Sequence, residues 1–159
     1  MTAIIDHDEA RAAVETVIRA ALDTLDDTPE FAVRDPRMVD IDAPEGDTGG
    51  VREKVMMADG EVDTIAYLNG DPQTWDVEAL FMVRVDAVAG ADADRHARVA
   101  EIRKAIVAAI TANFTLGGQA TYAEARSFQP EDLKADGLPA ETAHDLTIAV
   151  QFVALSPVG

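Results

Sequence analysis

Residues 75–118 constrain the fold more than any other stretch of the chain. In WDVEALFMVRVDAV, Val77, Ala79, Phe81, Val83 and Val85 alternate with Glu78, Leu80, Met82, Arg84 and Asp86, the period of two expected of a strand with one buried face. A short acidic turn follows. Then Val99, Ile102, Ile106, Ala109, Ile110 and Phe114 repeat at helical spacing up to the pair Gly117-Gly118, where a left-handed Gly117 is expected to close the helix. Arg95, Arg98, Glu101, Lys104 and Asn113 fall largely outside that apolar stripe. A strand and a helix that each carry one apolar face must cover those faces with each other or with further elements.

The remaining segments supply those elements. Ala10, Ala13, Val14, Val17, Ile18, Ala21, Leu22 and Leu25 recur at i, i+3 and i+4, predicting a helix over 7–25, roughly 28 Å long. Asp6 or Asp8 can cap its start, and Pro29 forces its end. Residues 31–34 and 37–42 carry short β-like alternations broken by Pro36, and the polar run APEGDTGG at 43–50 is expected to be a flexible loop. Val51–Met57 and Val62–Leu68 predict a hairpin turning at Asp59-Gly60, and Asn69-Gly70-Asp71-Pro72 turns the chain into the long strand. The middle of the chain is therefore expected to be an antiparallel meander. Beyond the glycine pair, 119–128 reads as a strand, 129–143 as a loop with two prolines, and 145–155 as a strand with Leu146, Ile148, Val150 and Phe152 on one face. The expected architecture is one α+β domain over 1–159, a two-layer sandwich of a mainly antiparallel sheet with two long helices packed on one face.

Composition narrows the function classes. A chain of 159 residues can bury roughly 70% of its unfolded surface without covalent staples. It has no cysteine, which excludes disulfides and thiolate metal sites and makes assembly inside a cell the expectation. The start lacks the basic and apolar regions of a secretory signal, and no run approaches the roughly 18 apolar residues of a membrane span. The net charge of −17 argues against a nucleic-acid-binding surface, which needs clustered bases. That charge is uneven, with 23 acids against 7 bases in residues 1–94 and 7 against 6 in 95–159. It fits solubility or adaptation to a salty or GC-rich background, and it also fits a protein that repels nucleic acid passing close by.

No catalytic centre stands out. Ser127 and Ser156 lie outside any G-x-S-x-G turn. His7, His96 and His144 sit among acids but at no ligand spacing. Asp40/Asp42 and Asp92/Asp94 read as strand and helix-start carboxylates more readily than as a dyad or calcium loop. Glycines 46, 49 and 50 lack the Lys-Ser/Thr of a phosphate loop. No catalytic, metal-ligating or cofactor-binding residue is therefore assigned, and no cofactor is expected. Trp75, at the start of the long strand, is either packing or an interface anchor. Arg95, Arg98 and Arg103 either pair locally with Asp92, Asp94 and Glu101 or meet the acids of a neighbouring copy.

The strand EALFMVRVDAV, the helix RHARVAEIRKAIVAAITANF, the glycines of TLGGQATYAEA, the last strand DLTIAVQFVAL and the first helix DEARAAVETVIRAALDTL together resemble the tail terminator, or tail-completion, proteins of long-tailed bacteriophages and gene-transfer particles. The resemblance covers most of the chain as a pattern of elements, without a catalytic motif. It implies a small α+β domain, no enzymatic activity, and a ring, commonly of six copies, that caps the tail tube and joins the head. It implies as partners the chain itself, the tail tube protein and head-tail connector proteins, with DNA passing through unbound and no membrane. On that plan Glu45, Asp47, Glu53, Asp59 and Glu61 face the lumen or tube, while Trp75, Arg95, Arg98 and Arg103 contact the next subunit. The alternatives are another neck or connector protein, or a small acidic ligand-binding or enzymatic domain.

Overall fold

The computed structural model describes residues 3–34, 52–68, 70, 72–134, 136–137 and 139–159. In chain order the elements are α1 (His7–Asp23), β1 (Glu30–Arg34), β2 (Arg52–Leu68), β3 (Thr74–Val88), α2 (Asp92–Ala112), a 3-10 turn (Leu116–Gly118), β4 (Tyr122–Leu133) and β5 (Glu141–Ala154). They build the expected α+β fold, with the described strands in the order β1-β2-β3-β5-β4. β1 runs parallel to β2, and the other neighbouring pairs are antiparallel.

The alternation read in β3 is the alternation observed. Val77, Ala79, Phe81, Val83 and Val85 are buried and lie opposite Phe152, Val150, Ile148, Leu146 and His144 of β5. Ala10, Val14, Ile18 and Leu22 of α1 join Val99, Ile102, Ile106 and Ile110 of α2 in the same core cluster. Both helices therefore cover one face of the sheet, and an antiparallel sheet can leave its other face in water. Burying each large apolar side chain stabilises by roughly 1.5–3 kcal/mol, so these stripes hold the helices more firmly than helix propensity does. Asp6 caps α1 through a reciprocal pair of bonds. Its carboxylate accepts from the Glu9 N–H at 2.8 Å, and the Glu9 carboxylate accepts from the Asp6 N–H at 2.9 Å.

Several local expectations are corrected. Residues 52–68 form one strand and not a hairpin. Gly60 stays inside β2 at a bulge between Asp59 and Val62, where a Cβ would lie 2.9 Å from the Leu80 carbonyl oxygen. The glycine answers a close approach of two strands instead of a turn. The parallel β1–β2 pair also breaks the antiparallel meander. The 17 residues between Arg34 and Arg52 exceed the dozen or so that a parallel crossover requires.

Helix α2 stops at Ala112, short of the glycine pair, and Phe114 thereby leaves the apolar stripe and is exposed. Gly117 does adopt the expected left-handed conformation, with φ 70°, but inside the 3-10 turn that follows the helix. Residues 129–143 are not a loop throughout, because β4 runs to Leu133 and β5 begins at Glu141. Pro130 is tolerated there because β4 is the outermost strand on its side. The expectations for 37–42 and 43–50 fall outside the described residues.

Candidate assembly surface

At one end of the sheet the last residues of β2 and β5 meet the first residues of β3. Tyr67 lies opposite Trp75, and Trp75 opposite Ala154. The Tyr67 and Trp75 rings meet edge to face with centroids 5.4 Å apart, a favoured aromatic geometry. Trp75 is half-buried and rests on the core. Tyr67 opposite it, Leu68 opposite Thr74, Leu155 just after Ala154 and Ile65 at the irregularity between Thr64 and Ala66 are between 39% and 60% exposed. The Thr64 hydroxyl donates to the Pro157 carbonyl, tying the C-terminal residues to β2. Singly exposed apolar residues are ordinary, whereas a gathered set marks a contact surface. β1 covers β2 only over Lys54–Ala58, so no described strand pairs with the outer edge of β2 beyond Ala58.

The sequence-predicted acids separate into different roles. Glu61 and Asp63 are both exposed on β2. Asp59 instead meets Arg11 of α1 at 3.0 Å. Glu53 is drawn to the helix side, where it meets Arg98 at 2.8 Å with its side chain only 14% exposed. Asp59 and Glu53 are thus each paired within the chain. Glu45 and Asp47 lie outside the described residues.

The predicted bases divide in the same way. Arg95, whose two readings are a local pair and a contact with a neighbouring copy, is 2% exposed, heads the fully buried side chains by volume and takes the local pair with Asp92. Its Nη1 donates to the carbonyls of Gly90 at 2.6 Å and Ala89 at 3.4 Å, its Nε to Thr142 Oγ1 at 3.4 Å, and its Nη2 to Asp92. Ala89 and Gly90 take φ 65° and 72°, a left-handed pair that forms the turn between β3 and α2. The placement of Arg95 outside the apolar stripe is thereby corrected, since it stands four residues before Val99 and so on the same face of α2. Arg98 bonds Glu53, Glu101 and the Asp27 carbonyl, joining α2 to β2 and to the turn after α1. Arg103 places its guanidinium 4.1 Å from the centre of the Phe128 ring.

Sequence reading missed two charge clusters on the helix-free face. Arg84 of β3 contacts Asp86 at 2.9 Å, Asp145 at 3.1 Å, Glu131 at 3.3 Å and Glu141 at 3.5 Å. Burial opposes its charge, but the carboxylates, Asp86 and Asp145 first, hold its pKa above the usual value. The Asp86 carboxyl is pushed up to about 7 by burial, with Arg84 pulling it down and Glu141 raising it further. Farther along the face, Arg126 makes two bonds of 2.9 Å to Glu78, which lower the Glu78 pKa. Arg84 points outward with Asp86 by the strand alternation, but its partners Glu131, Glu141 and Asp145 come from strands whose register no local pattern encodes. Among the described residues, no group of three or more His, Asp or Glu side chains is arranged to hold a metal ion. What the surface offers is an apolar end, an acidic strand segment and arginines largely satisfied within the chain.

No protein-family model matches the chain, and no curated protein matches it by sequence. A solved structure of a protein known only by a sequence identifier is similar over 93% of this chain and 97% of its own length, at 19% identity and a TM-score of 0.47.

Proposed function

We propose that the chain is a structural protein of a long-tailed phage or gene-transfer particle whose copies form a ring, of six on the pattern of the family it resembles. The ring caps the tail tube, ends its elongation and offers the head a joining surface. The observation that carries this reading is the apolar end formed by Ile65, Tyr67, Leu68, Trp75 and Leu155, next to the acidic outer half of β2. Copies with a net charge of −17 repel one another, so association requires apolar contact strong enough to overcome that repulsion. Trp75 keeps its role as a contact residue and gains Tyr67 as companion, while Arg95 and Arg98 serve by fixing α2.

Glu61, with Glu45 and Asp47, is assigned to the lumen or the tube face. Carboxylates there bind DNA weakly or not at all and let it pass. The protein then works in the host cytoplasm during assembly and afterwards in the virion tail. Its partners are the tail tube and head-tail connector proteins, and it needs no cofactor and no membrane.

Electron microscopy of the purified protein mixed with tail tubes tests the reading. Rings at tube ends are expected, and they should be lost in a variant carrying Tyr67→Ser and Trp75→Ser. Small monomers without affinity for tube ends would overturn it. Timing DNA ejection from virions in which Glu45, Asp47 and Glu61 are neutralised tests the lumen assignment separately. Unchanged ejection would remove that assignment and leave the ring.

A further inference from the structure

Two of the five phenylalanines, Phe81 and Phe152, are fully buried. The other three reach the surface, and two of these carry an arginine. The guanidinium of Arg19 lies 4.7 Å from the ring centre of Phe31, and that of Arg103 lies 4.1 Å from that of Phe128. Phe114, 48% exposed, has no such cation over it among the described residues. It stands just past the end of α2, with Tyr122 of β4 tilted against it at 5.9 Å between ring centres. Tyr122 is itself 45% exposed.

The two rings open onto a cleft of about 310 Å³, whose wall also includes Thr111 and Glu124. Acceptors dominate this cleft, with the Arg126 guanidinium at its rim bonded to Glu124 and Glu78. The last turn of α2 contains no base, and a helix C-terminus carries roughly half a negative charge. The Asn113 N–H engages the carbonyls of Ala109 and Ile110, while those of Thr111 and Ala112 accept no hydrogen bond from the described residues. Glu124 shares one oxygen with Arg126, at 3.0 and 3.1 Å, which leaves its second oxygen available.

We propose that this cleft receives an arginine side chain of a partner protein, with the guanidinium over Phe114 and Tyr122 and its N–H donors toward Glu124 and the terminal carbonyls of α2. Aromatic faces attract cations, and the planar guanidinium both stacks on rings and donates several hydrogen bonds at once. The chain already uses that contact at Phe31 and Phe128, and the cleft offers two rings and a carboxylate oxygen, with no cation over those rings among the described residues. The proposal goes beyond the ring-forming reading and does not depend on it.

The test is a titration of the full chain, followed by residue-resolved NMR, with N-acetyl-arginine methylamide and with its neutral citrulline counterpart. Saturable shifts are expected at Phe114, Tyr122 and Glu124 with the arginine probe, and binding about three- to five-fold weaker with citrulline, the factor an exposed cation–π contact supplies. Phe114→Ser should abolish the response while leaving the rest of the spectrum unchanged, because Phe114 is outside the core. Should that variant misfold, Glu124→Gln supplies the check, since it should weaken arginine binding and leave citrulline binding as it was. Equal binding of the two probes, or shifts scattered over the acidic surface and unchanged in the variants, would overturn the proposal. So would a loss of self-association in Phe114→Ser with no response to arginine in the original chain, which would place a second copy in the cleft.

Discussion

The Arg98 guanidinium and the Glu53 carboxylate lie 2.8 Å apart and are 16% and 14% exposed. A base that reads in the sequence as a contact for a neighbour and an acid that reads as lumen lining thus satisfy each other inside one chain. The bond fixes the first half of α2 to β2, and Arg98 extends the clasp to the Asp27 carbonyl.

Removing one partner of this pair should cost more than its surface appearance suggests, because the group left behind is mostly out of water. Glu53→Gln or Arg98→Met should each lower stability by about 1–3 kcal/mol, measured by urea unfolding. Replacing both should cost less than the sum of the two single changes. Strict additivity would show that the pair is not coupled. Charge reversal at Arg98 is accordingly expected to disturb the monomer before it reports on any ring.

Arg95 should be the more sensitive position. Its stem fills the core beside Val99, and its head bonds the two left-handed carbonyls of the β3–α2 turn and Thr142. Arg95→Ala removes packing and leaves buried acceptors without donors, an expected loss of about 3 kcal/mol or more. For a chain of this size that lowers the midpoint of thermal unfolding by about 6–12 °C. A change within 1–2 °C would mean that the buried guanidinium contributes almost nothing.

Gly60→Ala distinguishes the continuous strand from the hairpin read in the sequence. The added methyl would meet the Leu80 carbonyl oxygen at 2.9 Å and the Leu80 Cβ at 3.2 Å, and backbone atoms cannot step aside cheaply. A loss of about 1–3 kcal/mol is expected, with amide exchange quickened along β2 and β3. An alanine tolerated without cost would indicate that the two strands do not approach so closely at the bulge.

Asp86 makes stability depend on pH in a direction opposite to that of most carboxylates. Its folded pKa is pushed up to about 7, mainly by burial, from an ordinary value near 4. Between those values the folded chain holds a proton that the unfolded chain has lost, so the stabilisation from this group is complete below about pH 4 and disappears as pH rises through about 7. His144 works the other way. Burial, then Arg103 and His96, lower its pKa, so its contribution is present above about pH 6.5 and lost as pH falls. The difference between the original chain and Asp86→Asn isolates the aspartate. The variant should gain on the original chain as pH goes from 5 to 8, by about 1 kcal/mol or more in urea unfolding. A constant difference across that range would place the Asp86 pKa near its ordinary value.

Local periodicity was enough for the two-layer α+β class, for both helices and for β3 and β5, while the cap of α1 stayed open between Asp6 and Asp8. Each depends on side chains within a few residues of one another, where a period of two or 3.6 maps directly onto a face. The continuity of β2 was not legible, because Asp59-Gly60 carries the same local signal whether the glycine turns a hairpin or makes room for Leu80 of a neighbouring strand. The strand at 129–133 was likewise settled by its pairing with β5, whereas α2 ends at Ala112 with Asn113 bonding back to Ala109 and Ile110.

The candidate surface was legible only in outline. Trp75 could be singled out by type and position, but its companion Tyr67 depends on the register of β2 against β3. The charged residues depended most on tertiary structure. Sequence establishes how many acids and bases there are and in which half they lie. Only the packing of strands against helices decides that Arg98 takes Glu53, that Arg11 takes Asp59 and that Arg95 is buried, and only the pairing of strands decides that Arg84 gathers carboxylates from β4 and β5. An ion pair forms between whichever opposite charges the fold brings within a few ångströms, and its energy depends on separation and burial, neither of which is written in the order of residues along the chain.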